Sequence, residues 1–133
     1  MITSKHLIKE AQPTISQSSI ELADLIVDSI QDIKGKRIVQ LDMRELDFAP
    51  ASYFIICEGD STTQVKAISD NIYRKVKEEL GITPNHTEGL SDSKWILVDY
   101  FDTIVHVFYP ETRSFYDLEN LWSDASLKTF EDL

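Results

Sequence analysis

Residues 58–62, with the sequence Glu-Gly-Asp-Ser-Thr, are the first candidate for chemistry, because they lie between a predicted strand and a predicted helix. A helix N-terminus at that place can bind a phosphate group. The segment matches neither the G-x-x-x-x-G-K-[ST] pattern nor the G-x-G-x-x-G pattern, and its two carboxylates would repel an anion. We therefore interpret it as a glycine turn followed by a capped helix.

Metal coordination and covalent catalysis also lack residues at the required spacing. Asp99 and Asp102 flank a predicted tight turn, whereas a strand-borne D-x-D pair would place both carboxylates on one face of a sheet. The histidines and the single cysteine, Cys57, are too dispersed for a zinc site, and no local sequence pairs a nucleophile with an oriented base. We therefore predict no catalytic residues, no metal and no other cofactor.

Aromatic and acidic residues are concentrated between residues 86 and 122, and a binding surface is one interpretation of this concentration. Period-2 alternation places Trp95, Leu97 and Asp99 on one face of a predicted strand. His106 joins that face if Ile96, Val98, Val105 and Val107 face a covering helix. Aromatic anchors beside acidic residues suit the docking of a basic protein. The alternatives are that a second helix makes Trp95 a core residue, and that His106 is a hydrogen-bonded core histidine.

The net charge of −10, from 13 basic and 23 acidic residues, belongs mainly to the body of the chain. Residues 1–17 carry +1 and residues 123–133 carry −2, which leaves −9 for residues 18–122. Such a chain is poorly suited to nucleic acid, since phosphate backbones are bound through Lys and Arg. We predict no direct nucleic-acid binding. The charge fits either an ordinary acidic domain or steering toward a basic protein partner.

Apolar periodicity, capping residues and turns predict an α/β domain over residues 18–122. Ser18 and Ser61 each precede a Glu or Gln by three positions, which is the capping-box spacing. The predicted elements are a helix between residues 18 and 35, strands over 37–42 and 53–57, a helix between 61 and 81, a short edge strand near 86–88, an antiparallel hairpin of strands over 94–100 and 103–108, and a helix from Pro110 with Phe115, Leu118, Leu121 and Trp122 on one face. This order predicts a mixed β-sheet covered by helices, as in the nucleotidyltransferase fold.

The two ends of the chain are predicted to lie outside that domain. A polar stretch around Pro13 separates a flexible N-terminal arm, residues 1–17, and residues 123–133 form a polar C-terminal tail that frays. No apolar run approaches the roughly 20 residues of a membrane-spanning helix, and the first residues have no signal-peptide stretch. A single cysteine fits a reducing compartment. We therefore expect a cytoplasmic protein that does not bind membranes.

Six short segments in a fixed order carry a family resemblance, although each is weak alone. They are residues 41–46 (LDMREL), 53–57 (YFIIC), 59–67 (GDSTTQVKA), 86–89 (HTEG), 95–108 (WILVDYFDTIVHVF) and 113–122 (RSFYDLENLW). Over residues 20–122 the chain resembles the RsfS (Iojap-like) ribosomal silencing factors. Ser52 departs from the pattern, since the family usually has Asp before Tyr-Phe, and this departure bears on a turn or a polar contact.

The resemblance implies a nucleotidyltransferase-like α/β fold without catalytic carboxylates and a translation regulator that is not an enzyme. It implies binding to the large ribosomal subunit through ribosomal protein fourteen (uL14), near the surface that meets the small subunit. The bound factor would sterically block subunit joining and lower translation under starvation. Family members also tend to form homodimers, so the resemblance implies a homodimer here.

Resemblance and position together single out the residues expected to dock. The first set is Trp95, Leu97, Asp99, Tyr100, Asp102 and His106, and a second set, which binds or supports the hairpin, is His86, Glu88, Tyr116 and Trp122. Two other functions remain open at this point. One is a nucleotidyltransferase-like enzyme with an unrecognised active site, which would bind nucleotide with metal. The other is a dimerisation module whose hairpin face is its own dimer interface.

Overall fold

A six-stranded mixed β-sheet forms the centre of the computed structural model, which describes residues 18–133. The predicted arm over residues 1–17 lies outside the described residues. Along the chain the elements are helix α1 (18–32), strands β1 (Lys36–Asp42) and β2 (Tyr53–Glu58), helix α2 (Thr62–Leu80), strands β3 (His86–Glu88), β4 (Trp95–Asp99) and β5 (Thr103–Phe108), helices α3 (Pro110–Tyr116) and α4 (Leu118–Leu121), and strand β6 (Ser126–Thr129).

The strands lie in the order β3-β4-β5-β2-β1-β6. Strands β2 and β5 run parallel, and the other neighbouring pairs within residues 18–133 run antiparallel. These two central strands are buried along their whole length, as expected for runs rich in Ile and Val. A parallel pair needs a long crossover connection, part of which α2 supplies. The predicted α/β class, with a mixed sheet covered by helices, is confirmed.

Helices α1 and α2 cover one face of the sheet, which we call the helix face. Fully buried isoleucines at three- and four-residue steps, such as Ile26 and Ile30 in α1 and Ile68 and Ile72 in α2, pack there against the strands. Within the described part of the chain, no helix combines the length and apolar composition needed to cross a bilayer.

Both ends predicted for α2 are confirmed in detail. The Ser61 hydroxyl accepts the backbone N–H of Gln64 at 3.1 Å, and Gly81 ends the helix at a φ of +67°. Gly35, which follows α1, is needed for its small size. A Cβ there would lie 2.3 Å from a methyl carbon of Ile30, so the glycine allows a close approach of the chain to the helix.

The opposite face of the sheet, which we call the open face, is covered only in part. Apolar residues of β1, β2 and β5 form a buried cluster there with Met43 and with Leu118 of α4. Helices α3 and α4 are 7 and 4 residues long, against 19 residues in α2, so they cover a smaller area. Trp95 and Leu97 of β4 pack against this cluster and remain half-buried.

The expectation that residues 123–133 fray is wrong for the middle of that segment. Residues 126–129 form strand β6, which pairs antiparallel with β1 at one edge of the sheet. The next N–H, from Phe130, donates to the carbonyl of Ile38 at 3.0 Å, and the Phe130 side chain packs against the helix-face core. Backbone hydrogen bonds hold this edge strand, and its four side chains are exposed. The segment therefore has no apolar pattern from which a strand could be predicted.

The single helix predicted from Pro110 is also corrected. Asp117, with a φ of +49°, divides it into α3 and α4. Leu118 is buried as predicted, but Phe115 is 80% exposed and Leu121 is 69% exposed. The reason is that the break at Asp117 changes the helical phase, so the four apolar residues no longer share one face.

Candidate functional site

Strand register brings six of the predicted docking and supporting residues together on the open face. Across the β3–β4 pair, His86 lies opposite Asp99 and Glu88 lies opposite Leu97. Across the β4–β5 pair, Leu97 lies opposite His106. Directly opposed residues project to the same side of a sheet, so these side chains are neighbours. We call the five accessible members the hairpin patch: His86, Glu88, Trp95, Leu97 and Asp99.

Trp95 lies where the covered part of the open face meets the uncovered part. Its Nε1–H donates to Nδ1 of His106 at 3.0 Å. Its ring stacks on Phe108 with centroids 5.0 Å apart, and Tyr116 of α3 lies against it with centroids 4.6 Å apart. The indole is nevertheless only half-buried. Trp95 is thus anchored like a core residue and still presents apolar surface to solvent.

His106 is buried, with 3% of its surface exposed, so the expectation that it docks directly is wrong. Its ring lies edge-on to Phe54 at a centroid distance of 4.5 Å and parallel to Phe108 at 6.2 Å. Burial lowers the pKa of His106 from 6.5 to about 3, because the charged imidazolium would lose its hydration. The ring is therefore neutral near pH 7, and the sequence interpretation of a hydrogen-bonded core histidine is correct.

The acidic side of the hairpin patch is built around the β3–β4 pair. Nε2 of His86 lies 2.8 Å from Oε2 of Glu88, and its Nδ1 lies 3.5 Å from Oδ2 of Asp99. The other oxygen of Asp99 accepts the backbone N–H of Phe101 at 2.7 Å, which fixes the carboxylate beside the turn. The patch therefore presents two carboxylates next to the apolar surface of Trp95 and Leu97.

Tyr100 does not belong to the docking surface. It is 4% exposed and packs in the helix-face core with Val98 and Val105. Burial raises the pKa of its hydroxyl well above the ordinary value of 10, and the hydroxyl has no protein partner within residues 18–133. Alternation along β4 explains the error, since even-numbered residues of this strand project toward the helices.

Asp102 also has a structural role at the other side of the hairpin turn. Its carboxylate accepts a hydrogen bond from the Ser19 hydroxyl of α1. Its carbonyl accepts the backbone N–H groups of Ser52 and Tyr53 at 2.9 and 3.0 Å. The turn before β2 is therefore held to the hairpin turn by backbone groups of Ser52 and Tyr53.

The remaining second-rank residues differ in their roles. Tyr116 is 49% exposed and extends the apolar surface of Trp95 toward α3. Trp122 lies edge-on to Phe54 with centroids 6.1 Å apart, so its main role is to pack against the buried cluster of the open face.

Two accessible aromatic residues near the patch escaped the sequence analysis as site candidates. Phe101, at the tip of the hairpin, is 69% exposed with a φ of +72°, and Phe115 forms one wall of a shallow groove of about 510 Å³ beside Trp95. Phe101 lies in the turn, where strand alternation does not apply, and the sequence pattern assigned Phe115 to the apolar face of the single helix predicted from Pro110. Other residues lining the groove are Asp92, Lys94, Glu111, Thr112 and Tyr116.

The arrangement is suited to binding a protein surface. Within residues 18–133, no three His, Cys, Asp or Glu side chains are grouped closely enough to hold a metal ion. The side chains of Asp99 and Asp102, the two carboxylates that flank the hairpin turn, are engaged by different partners. What the open face offers is half-buried apolar surface with an acidic border, which matches the anatomy of a protein–protein contact.

Comparisons with known proteins support one family. The family model described as "Ribosomal silencing factor during starvation" matches residues 16–133. A ribosomal silencing factor of Halalkalibacterium halodurans is 40% identical over 108 residues, covering 81% of this chain and 91% of that protein. One from Bacillus subtilis is 43% identical over 96 residues, covering 72% and 80%. A crystal structure from Chromobacterium violaceum has a TM-score of 0.74 at 39% identity, covering 77% of this chain and 84% of that one.

Proposed function

The chain belongs to the family of ribosomal silencing factors, and from this premise we propose that it binds the large ribosomal subunit through ribosomal protein fourteen (uL14). In this proposal the bound protein occupies space that the small subunit needs, so subunits do not join and translation falls under starvation. The protein acts in the cytoplasm, as a homodimer, without direct nucleic-acid or membrane binding. It is a regulator and not an enzyme.

The observation that carries the proposal is the hairpin patch. Half-buried Trp95 and Leu97 supply apolar surface that is already held in place, which lowers the entropy cost of binding. The carboxylates of Glu88 and Asp99 border that surface, and the chain as a whole carries a net charge of −10. Ribosomal proteins are mostly basic, so these charges favour encounter with one of them.

Co-sedimentation tests the proposal directly. The protein is mixed with purified large and small subunits in ionic conditions that normally allow joining, and the mixture is separated on a gradient. We expect the protein to sediment with the large subunit and to reduce the joined-ribosome peak. Binding should weaken as salt is raised, because border charges contribute to association. Absence of binding to either subunit, with joining unchanged, would contradict the proposal.

A variant of Trp95 locates the contact. Trp95→Ala should weaken binding by about 30-fold or more, since central aromatic anchors contribute about 2 kcal/mol or more to protein interfaces. Tyr73→Ala is the matched control, because Tyr73 is an aromatic residue of α2, 43% exposed and on the helix side of the sheet. Lys75→Ala on the same helix should likewise leave binding unchanged. Equal affinity for Trp95→Ala and the parent would rule out the hairpin patch.

The two other functions have their own tests. An enzyme of the nucleotidyltransferase type would bind nucleotide with magnesium, so a titration that shows heat or a thermal shift would favour it over a regulator. A module that uses the patch for self-association would lose its dimer on Trp95→Asp. In the proposal made here, the dimer persists in Trp95→Asp while ribosome binding is lost, and sedimentation velocity distinguishes the two.

A further inference from the structure

His106 and Trp95 form a directional pair within the open face. The two residues lie diagonally across the β4–β5 ladder, because Trp95 is opposite Phe108 and His106 is opposite Leu97. Diagonal neighbours lie within reach of aromatic side chains. The indole Nε1–H donates to Nδ1 of His106 at 3.0 Å. Phe108 and Tyr116 also contact the indole, but through ring packing that does not fix its rotation as a hydrogen bond does.

The hydrogen bond determines the tautomer of His106. An indole N–H can only donate, so Nδ1 must carry the lone pair and the proton of the neutral ring lies on Nε2. Nε2 is buried and has no protein partner within residues 18–133. An apolar side chain would fill this space without placing an unpaired donor there. The feature that an apolar residue could not supply is the acceptor that faces Trp95.

We infer that His106 is a positioning residue, whose Nδ1 lone pair holds the indole of Trp95 in the orientation that meets the ribosomal partner. The inference rests on the proposed function, because it concerns the same patch. His106 itself contacts no partner, since only 3% of its surface is exposed. It acts by keeping the polar edge of the indole turned inward, which leaves an apolar edge of Trp95 toward solvent.

Two substitutions of similar size and shape separate the acceptor from packing. Asn places a carbonyl oxygen near the position of Nδ1, whereas Leu has nearly the same shape and no acceptor. His106→Leu should weaken binding to purified large subunits about five- to tenfold, the effect of one lost hydrogen bond. His106→Asn should bind within about twofold of the parent. Thermal melts of both variants report their folding.

A spectroscopic signature tests the positioning step apart from binding. In ¹⁵N-labelled protein the Trp95 indole N–H resonance is assigned by its loss in Trp95→Phe. We expect it to be protected from hydrogen exchange in the parent and in His106→Asn, and to exchange faster in His106→Leu. The parent measurement needs no His106 variant, so unprotected exchange there would overturn the inference even if both variants failed to fold.

The outcomes distinguish this inference from the proposed function. If the parent does not bind large subunits, the proposed function fails, and the inference fails with it. If the parent binds and His106→Leu binds equally well despite faster indole exchange, the positioning role alone is overturned. Equal weakening in His106→Asn and His106→Leu would also overturn it, because a packing role and not the acceptor would then explain the loss.

Discussion

Replacing Arg113 with methionine should lower the free energy of unfolding by about 3 kcal/mol, because Arg113 is the centre of a buried charge network. Its side chain is 4% exposed. Nη1 lies 3.1 Å from Glu58 and 2.7 Å from the carbonyl of Arg37, and Nη2 lies 2.8 Å from Glu119. The network ties α3 and α4 to strands β1 and β2.

The magnitude follows from what the substitution leaves behind. Removing one partner of a buried ion pair typically costs about 3–5 kcal/mol, because the other charge stays buried and uncompensated. Glu58, with a side chain 9% exposed, would keep only Arg37 at 3.3 Å, and that arginine side chain is 63% exposed. Glu119 is 24% exposed and can recover part of its hydration. These two partial compensations place the expected value at the lower end of the range.

Urea denaturation at pH 7, followed by circular dichroism, measures the change. The midpoint should fall without a large change in slope, and the melting temperature should fall by about 10 °C. Lys66→Met is the control, since Lys66 pairs with Asp70 across an exposed helix turn, with side chains 51% and 63% exposed. That variant should lose less than about 0.5 kcal/mol.

A double-mutant cycle with Glu58→Gln isolates the interaction. If the cost of Arg113→Met comes from a stranded carboxylate, the substitution should cost about 1.5 kcal/mol less in the Glu58→Gln background. Additive effects of the two substitutions would refute this reasoning, as would a total cost below about 1 kcal/mol for Arg113→Met in the parent.

Three further predictions concern backbone fit and titration. Gly89→Ala should lower the free energy of unfolding, measured in urea, far more than Gly81→Ala does. A Cβ at Gly89 would lie 1.9 Å from the Trp95 carbonyl oxygen, whereas Gly81 has a similar positive φ and open space around it. Equal losses of unfolding free energy in the two variants would contradict this. The free energy of unfolding should fall by about 2 kcal/mol from pH 7 to pH 5 through His106, because its pKa of about 3 in the folded protein lies below the unfolded value of 6.5. This contribution to stability is complete above pH 6.5 and is lost progressively toward pH 3. It should be absent in His106→Asn. Cys57, whose pKa burial raises to about 12, should react with a thiol reagent at pH 8 only after unfolding, and rapid labelling of the native protein would show that the strand opens.

Local signals in the sequence predicted the elements whose geometry depends on neighbouring residues. The Ser61 and Gln64 spacing identified a helix start because the capping bond spans only three residues. Alternation over residues 95–99 identified which side chains share the open face. The same alternation assigns Tyr100 to the helix face, and the contrary expectation followed the family resemblance and proximity to the turn.

The features that were not predicted depend on partners distant in sequence. Strand β6 forms because β1 offers an unpaired edge about 85 residues earlier in the chain, and its own exposed residues have no apolar period. Arg113, in α3 just before the break between α3 and α4, is buried against Glu58, which lies 55 residues earlier in the chain. From the sequence, the burial of His106 is one of two alternatives, because that burial depends on Phe54 of β2 and Trp95 of β4 packing against its ring from the neighbouring strands.

The unequal covering of the two sheet faces makes stability and binding depend on the same residue. Short α3 and α4 leave the open-face side chains of β3 and β4 only partly covered, so Trp95 must both close the edge of the buried cluster and present surface to a partner. A loss of binding in Trp95→Ala therefore has two physical sources, the missing contact and a loosened patch. Trp95→Phe separates them, because it retains a ring on Phe108 but removes the donor to His106. If the orientation of the indole matters as inferred, Trp95→Phe should lose a smaller share of the free energy of unfolding than of the affinity for the large subunit, each compared with the loss in Trp95→Ala.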